Sequence, residues 1–234
     1  MCPWPLSARA ERARILLRAP ETGSRVLVEA RQDTQPMAFL RSSLVSDVPT
    51  AVRGERVLLR APQVSDYGPW AELRAESRAH LQPWEPTWPR DDLTKPAFKR
   101  RVRHYQREAR ADQGYAFLVF DAADERLVGG IALTNVQRGV TQSASVGYWL
   151  GRSELRRGYM ADAVHATIGF AFDVLRLHRL EAATQPANIA SIRVLERNGF
   201  VHEGFARDYL RIDGVWRDHL LFGLVAPVDA GGRA

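Results

Sequence analysis

Residues 147–164 (GYWLGRSELRRGYMADAV) restrict the fold of this chain more than any other stretch. An aromatic and aliphatic run is followed by a polar turn, and Gly158 then precedes a long amphipathic segment. This order predicts a strand, a turn and a helix that begins at Gly158. Backbone N–H groups at a helix start are unpaired and carry partial positive charge, and a glycine lets a ligand come close. The stretch therefore predicts a phosphate-binding turn.

The composition narrows the class of protein. A chain of 234 residues with 45% hydrophobic residues is long enough for one sizeable core. The formal charge of +6 favours an anionic partner, but Lys occurs only at Lys95 and Lys99. An Arg-for-Lys skew of this kind is typical of GC-rich codon usage, so we do not expect direct nucleic-acid binding. The phosphates of a cofactor would use the same positive charge.

Cysteine, histidine and hydropathy patterns give further limits. A single cysteine, Cys2, cannot form an internal disulfide, which fits a reducing cytoplasm. No Cys/His cluster with metal-ligand spacing occurs, so no metal is expected. No apolar run approaches the roughly 20 residues that span a bilayer, so no membrane association is expected.

The two ends of the chain differ in pattern from its middle. Residues 1–50 show no sustained hydrophobic period and are predicted to form a disordered extension. An organelle transit peptide is a remote alternative, and translation from Met37 is another. We expect one folded domain over residues 53–225 and a flexible tail over 226–234.

Periodicity within the domain predicts mixed secondary structure. Asp66 is an expected N-cap, and Phe98, Val102, Tyr105 and Ala109 mark a second helix. Runs at 115–120, 127–133 and 143–150 predict a three-strand meander, with Gly129-Gly130 as a bulge or close approach. The long helix is expected to bury a stripe at Met160, Val164, Ile168, Ala171, Phe172 and Leu175.

The last third of the chain predicts a short strand at 180–184, a short helix ending at Asn198-Gly199, and a hairpin turning at Asp213-Gly214. Strands alternate with helices, yet the three strands of the meander are consecutive. The fold class is therefore α+β, with a mixed, mostly antiparallel twisted sheet flanked by helices.

These elements together resemble the GNAT superfamily of N-acetyltransferases from about residue 53 to 225. Several motifs are more narrowly similar to the RimJ/RimL-type ribosomal-protein-alanine N-acetyltransferases. They are PWEPTW at 83–88, VGYWL at 146–150, NIAS at 188–191, ERNGF at 196–200 and YLRIDGVWRDH at 209–219. The resemblance implies a splayed central strand pair and acetyl-CoA as the acyl donor.

The resemblance also assigns a cofactor site. It implies that the pyrophosphate of acetyl-CoA rests on Arg156, Arg157, Gly158, Tyr159 and Met160. The pantetheine arm would pair with the strand edge at Trp149 and Leu150, and Asn188 would hydrogen-bond that arm. This sequence departs from the usual phosphate turn, since Leu155 stands at its first position and Arg156 where glycine is frequent.

The resemblance implies direct acetyl transfer to an amine. A protein N-terminal amine has a pKa of roughly 8, so a strong base is not required. Ser145 stands where related enzymes often have a glutamate, and we expect a water ordered by Glu85 or the strand backbone to relay the amine proton. Ser191 or Tyr209 would protonate the thiolate, and Tyr209 is chemically better suited because the pKa of a phenol lies closer to that of a thiol. Trp84, Trp88 and Tyr148 are the expected substrate contacts, although Trp84 and Trp88 also suit core packing, and Asn188 and Ser191 also suit helix capping.

Three functions fit these patterns. The favoured one is acetylation of the N-terminal alanine amine of a ribosomal protein, by a monomer or homodimer. The second is acetylation of a small amine, such as an amino acid, a polyamine or an antibiotic. The third is a non-catalytic acyl-CoA-binding module, which the missing carboxylate at Ser145 leaves open.

Overall fold

A computed structural model describes residues 51–227 of the chain. The predicted extension over residues 1–50, the alternative start at Met37, and residues 228–234 of the predicted tail lie outside this range. No helix within 51–227 is long and apolar enough to cross a membrane.

Eight strands and five helices make up the described region. The strands are β1 (Ala51–Arg53), β2 (Val57–Arg60), β3 (Tyr115–Asp121), β4 (Leu127–Gln137), β5 (Ser143–Leu150), β6 (Arg179–Thr184), β7 (Val201–Ile212) and β8 (Val215–Val225). The helices are α1 (Tyr67–Glu76), α2 (Arg78–Leu81), α3 (Lys95–Arg110), α4 (Tyr159–Gly169) and α5 (Ile189–Arg197).

The strands form a single sheet in the order β1-β2-β3-β4-β5-β6-β8-β7. Every neighbouring pair is antiparallel except β5 and β6, which run parallel. The parallel pair needs a crossover, and α4 supplies it. The predicted α+β fold with a mixed, mostly antiparallel sheet is confirmed.

Helices cover both faces of the sheet. On one face, α4 packs on β2, β4 and β5 and contributes Met160, Ala163 and Val164 to the main core. On the other face, α1 and α3 bury Trp70, Leu73, Phe98 and Val102 against β3 and β4. Alternate residues of the central strands thus face two separate apolar layers, as a sheet covered on both faces requires.

The turns confirm several sequence predictions. Gly199, with φ +82°, follows α5 in the left-handed region, and Asp213 and Gly214 have φ values of +44° and +80°. Two positive φ values are the signature of the tight hairpin turn that matches the twist of its strands. The long β7–β8 hairpin therefore forms as predicted.

The helix predictions are confirmed in part. Asp66 is the N-cap residue of α1 as predicted, but its carboxylate makes no capping bond to that helix; it accepts from the Gln63 backbone and pairs with Arg60. Met160, Val164, Ala171 and Leu175 of the predicted stripe are buried, whereas Ile168 and Phe172 are partly buried against the same core. Phe170, which was not predicted, is 1% exposed; it lies where α4 continues as a π-helical turn over Phe170–Val174, whose extra residue per turn changes which side chains face the core.

Candidate functional site

The turn before α4 has the conformation that a phosphate-binding loop needs. Gly158 has φ +83° and is the N-cap residue, so α4 begins at Tyr159 as predicted. A Cβ added at Gly158 would meet only the Arg56 side chain, at 3.6 Å. The space above the first N–H groups of α4 is therefore open to an anion.

The phosphate turn is anchored to the first strands of the sheet through Asp162, in the first turn of α4. Its carboxylate accepts hydrogen bonds from the backbone N–H groups of Arg56 at 2.8 Å and Val57 at 3.1 Å. The Arg56 guanidinium in turn donates to the carbonyl of Arg157 at 3.2 Å. These contacts fix the helix start relative to the sheet, and the sequence patterns gave no role to Asp162.

The two arginines of the turn differ in how they pair with acidic side chains. Glu154 is buried, forms an ion pair with Arg126, and lies 3.8 Å from the Arg157 guanidinium. Arg156 is exposed, has φ +64°, and forms no ion pair within residues 51–227. Arg156 can thus offer its full charge to a ligand, whereas Arg157 shares its charge with Glu154, although the backbone conformation of Arg156 favours glycine.

Tyr159 and Met160 present only their backbones to the open side of the turn. Both side chains are buried in the main core, and the Tyr159 hydroxyl donates to the carboxylate of Asp121. That hydrogen bond is the main reason why the pKa of Asp121 is lowered. Any contact of these two residues with a phosphate therefore runs through their N–H groups.

The sheet opens next to this turn. Strands β5 and β6 pair only at Ser143, Ala144 and Ser145, opposite Arg179–Glu181. Beyond Ser145, β5 remains paired with β4 on its other side, and β6 remains paired with β8. Two strand edges therefore diverge into a cleft, which confirms the predicted splayed pair.

Trp149 and Leu150 lie on the β5 side of the cleft. Both are half-buried, and the Trp149 ring lies against Gly130 of β4, where an added Cβ would stand 2.5 Å from Nε1. The predicted close approach at Gly129-Gly130 is thereby explained, because β5 and the Trp149 ring occupy the space that a side chain would need.

Tyr148 bridges the cleft. Its hydroxyl lies 2.9 Å from the Ser191 hydroxyl, at the start of α5. Asn188 is the N-cap of α5, and its side-chain oxygen accepts from the Ser191 N–H at 3.1 Å. Burial raises the pKa of Tyr148 to about 12, and the hydrogen bond with Ser191 opposes that shift. Tyr148 and Ser191 form one polar pair between the strand edge and the helix.

Glu85 is held by two neighbours on the other face of the sheet. The Arg74 guanidinium donates to both of its carboxylate oxygens at 2.7 Å, and the Trp88 indole N–H donates to one of them at 2.7 Å. Arg74 lies over the Trp88 ring at 4.2 Å and over the Trp149 ring at 4.9 Å. The structure thus brings Glu85 and Trp88 together with Trp149, through an arginine that no sequence pattern marked.

Trp84 lies at a second opening. It is half-buried and, with Gln82, Gln185, Ile212 and Asp213, lines a cavity of about 460 Å³. The Gln82 amide donates to the Asp213 carboxylate, and the Gln185 amide donates to the Pro83 carbonyl. The segment before Trp88 is thereby docked on the end of β6 and on the tip of the β7–β8 hairpin.

Tyr209 is placed differently from Ser191. It lies on β7 next to an irregularity in the β7–β8 register and is 47% exposed. Its ring contacts the edge of the His219 ring at a centroid distance of 5.8 Å. His219 is buried, and its Nδ1 lies 2.9 Å from the Arg217 carbonyl.

A cleft between diverging strand edges, placed beside a glycine-capped helix start, suits an extended ligand that carries phosphate groups. Residues 56–201 match the acetyltransferase (GNAT) domain family, and the chain belongs to that family. It is therefore an acetyl-CoA-dependent acyltransferase of the N-acetyltransferase type, as the sequence motifs predicted.

Three similar proteins show which members of this family the chain resembles. The chain is 35% identical to the probable N-acetyltransferase YjcK of Bacillus subtilis, over 76% of this chain and 98% of that protein. It is 32% identical to the [ribosomal protein uS5]-alanine N-acetyltransferase of Escherichia coli, over 76% of this chain and 92% of that protein. The structure of Mycobacterium smegmatis RimJ in complex with CoA-disulfide superposes with a TM-score of 0.70 at 33% identity, covering 73% of this chain and 82% of that one.

Proposed function

We propose that this chain acetylates the N-terminal alanine amine of a ribosomal protein by direct transfer from acetyl-CoA. The observation that carries the donor site is the divergence of β5 and β6 beyond Ser145, directly ahead of the helix start at Gly158. The similarity to a uS5-alanine N-acetyltransferase supports the acceptor. We assign this activity to a domain over residues 53–225, acting in the cytoplasm.

The donor lies along the cleft. Its pyrophosphate contacts the backbone N–H groups of Gly158, Tyr159 and Met160 and the side chains of Arg156 and Arg157. The amides of its pantetheine arm pair with the free edge of β5 at Trp149 and Leu150, since extended amides need strand-like partners. Asn188 faces the arm from the end of the neighbouring turn.

The transfer requires one bond exchange and two proton movements. The neutral amine attacks the thioester carbonyl carbon, the new C–N bond forms, and the C–S bond breaks. The amine nitrogen loses a proton to water ordered near Glu85, and the thiolate gains one from Ser191 or Tyr209. The hydroxyl that gave its proton is then reprotonated through solvent by the proton that the water took up. Because an N-terminal amine has a pKa of roughly 8, part of it is already neutral at pH 7. Trp84, Trp88 and Tyr148 border the acceptor.

Ser191 is the better placed of the two proton donors. It faces the cleft through its hydrogen bond to Tyr148 at 2.9 Å, and Tyr148 stays protonated because its pKa is raised to about 12. Either hydroxyl can be the donor in this pair, and when the phenol donates, the serine proton is free for the thiolate. Tyr209 would have to act from the hairpin.

A small amine is the second candidate acceptor. The cavity beside Trp84 is lined by the Asp213 carboxylate, the Arg217 side chain and two amide side chains. The carboxylate suits the ammonium group of a small amine, and Arg217 suits an acceptor that also carries a negative group, such as a free amino acid.

An acceptor panel tests the proposal by thiol release. The panel contains an alanine-starting peptide, the same peptide with a blocked N-terminus, alaninamide and a polyamine. We expect release with the free peptide and none with the blocked one. Faster release with the small amines than with the peptide would favour the second candidate.

A further inference from the structure

Arg74 is a buried arginine at the boundary between the two halves of the proposed site. It lies on α1 and is 4% exposed, and both of its terminal nitrogens are paired with Glu85. Its guanidinium is flanked by the rings of Trp88 at 4.2 Å and Trp149 at 4.9 Å. Arginine suits this position because its planar group accepts a bidentate carboxylate and stacks on aromatic rings at once.

The three partners of Arg74 come from different parts of the fold. Glu85 and Trp88 belong to residues 83–88, here called the acceptor segment, which contains two of the prolines that prevent regular structure. Trp149 belongs to β5, the strand that borders the cleft. One guanidinium therefore connects the acceptor segment to the strand along which the donor is proposed to lie.

Stability alone does not explain this arrangement. Replacing a buried ion pair by apolar side chains of similar volume is often neutral or stabilising, because both charges lose their hydration. Moreover, the Nε–H group of Arg74 is buried and has no hydrogen-bond partner within residues 51–227. A buried N–H group without a partner lowers the stability of the fold. The arginine therefore serves a purpose other than stability at this position.

We propose that Arg74 is a positioning residue that holds Glu85 and Trp88 of the acceptor segment in register with Trp149 on the donor strand. The inference rests on the proposed function. Replacing Arg74 should therefore impair the use of the acceptor amine. It should change the affinity for acetyl-CoA little, because Asp162 anchors the phosphate turn separately.

Arg74→Lys is the first test, because lysine keeps the charge but loses the fork and the flat stacking surface. We expect kcat/KM for the accepted amine to fall by at least about tenfold, mainly through a higher acceptor KM. The Kd of acetyl-CoA, measured by calorimetry, should stay within about threefold of the parent value. Hydrogen exchange should become faster over residues 82–92.

Two further variants control for folding. Arg78→Met removes an exposed arginine that lies over the same Trp88 ring at 5.4 Å, and it should leave kcat/KM and exchange unchanged. Arg74→Met combined with Glu85→Gln removes both charges and should melt near the parent temperature; it reports on folding alone, because Glu85 is itself placed near the transferred proton. A folded Arg74→Lys protein with a raised acceptor KM and an unchanged Kd for acetyl-CoA separates positioning from a purely structural role.

A wrong acceptor and a wrong role for Arg74 would give different results in these experiments. If the unmodified protein acetylates only small amines, the alanine acceptor is wrong, and the Arg74 comparison is made on the amine that is accepted. Unchanged acceptor kcat/KM together with unchanged exchange over residues 82–92 in folded Arg74→Lys would overturn the positioning role. An equal loss of acetyl-CoA affinity and acceptor turnover would overturn it too.

Discussion

The hydroxyl groups of Tyr148 and Ser191 lie 2.9 Å apart across the gap where β5 and β6 diverge. One belongs to the strand edge proposed to pair with pantetheine, and the other to the start of α5. This hydrogen bond links the two sides of the cleft, and one of its members, Ser191, is a proposed proton donor to the thiolate.

The stability of the protein at alkaline pH should depend on Tyr148. Burial raises its pKa from 10.0 to about 12. Because the pKa is raised in the folded state, the unfolded chain loses this proton at a lower pH than the folded chain does. The stability that Tyr148 contributes is therefore complete below pH 10 and disappears as the pH rises towards 12. Tyr148→Phe cannot lose a proton. Urea unfolding at a series of pH values should therefore show a smaller alkaline decline for Tyr148→Phe than for the parent, and equal declines would contradict the assignment.

Substitution of Gly158 should reduce donor binding. Its φ of +83° strains any side chain, and a branched side chain would also cover the N–H groups at the start of α4. We expect Gly158→Val to lower acetyl-CoA affinity by at least about tenfold, measured by calorimetry. Gly139, with φ +69° and open space around it, is the matched control. Gly139→Val should lose stability without losing affinity, and a bound donor of unchanged affinity in Gly158→Val would refute the phosphate site.

Arg156→Gly should change stability and affinity in opposite directions. Arg156 has φ +64°, so glycine removes backbone strain and should stabilise the fold by about 1 kcal/mol. The same change removes an exposed charge next to the proposed pyrophosphate and should weaken acetyl-CoA binding several-fold. Thermal melting and calorimetry on one preparation measure both effects. Tighter binding would show that Arg156 crowds the turn.

The Asp112–Arg138 pair should make the fold sensitive to acid. Arg138 donates to Asp112 at 2.6 and 2.7 Å and to the Leu175 carbonyl at 2.5 Å, so the pair ties the end of α3 to the chain after α4. The hydrogen bond from Arg138 is the main cause that lowers the pKa of Asp112.

A lowered pKa contributes stability above the unfolded value of 3.8, and this stability is lost as the pH falls through the folded value. Asp112→Asn should thus cost at most about 1 kcal/mol at pH 7, because solvent screens this partly exposed pair, and progressively less below pH 4. Asparagine tolerates the φ of +54° at this position, so the variant isolates the charge. A cost that is independent of pH would contradict this explanation.

The sequence predicted those features that depend on local pattern. The helix start at Gly158, the turn at Asp213-Gly214 and the end of α5 at Gly199 each require a residue type that is visible in the sequence. The splayed strands followed from the family resemblance, because no period within β5 or β6 shows where their pairing stops. The π-helical turn at Phe170–Val174 has no such signature, and within it Phe170 is buried although the predicted stripe contained Phe172.

The sequence did not predict the roles of Arg74 and Asp162, for a different reason. Each is a charged residue on a helix, where a solvent-exposed position is the usual expectation. Their partners are distant in the chain: Arg74 reaches Trp149 on β5, and Asp162 reaches the backbone at Arg56. Only the assembled sheet brings these groups together, so tertiary structure was needed to find them.

Mass spectrometry of an alanine-starting peptide, incubated with the protein and acetyl-CoA, shows directly whether this protein acetylates a peptide α-amine. We expect one acetyl group on the α-amine of the first residue and one free CoA thiol for each acetylated peptide. An unmodified α-amine after incubation with protein that binds acetyl-CoA would contradict this expectation.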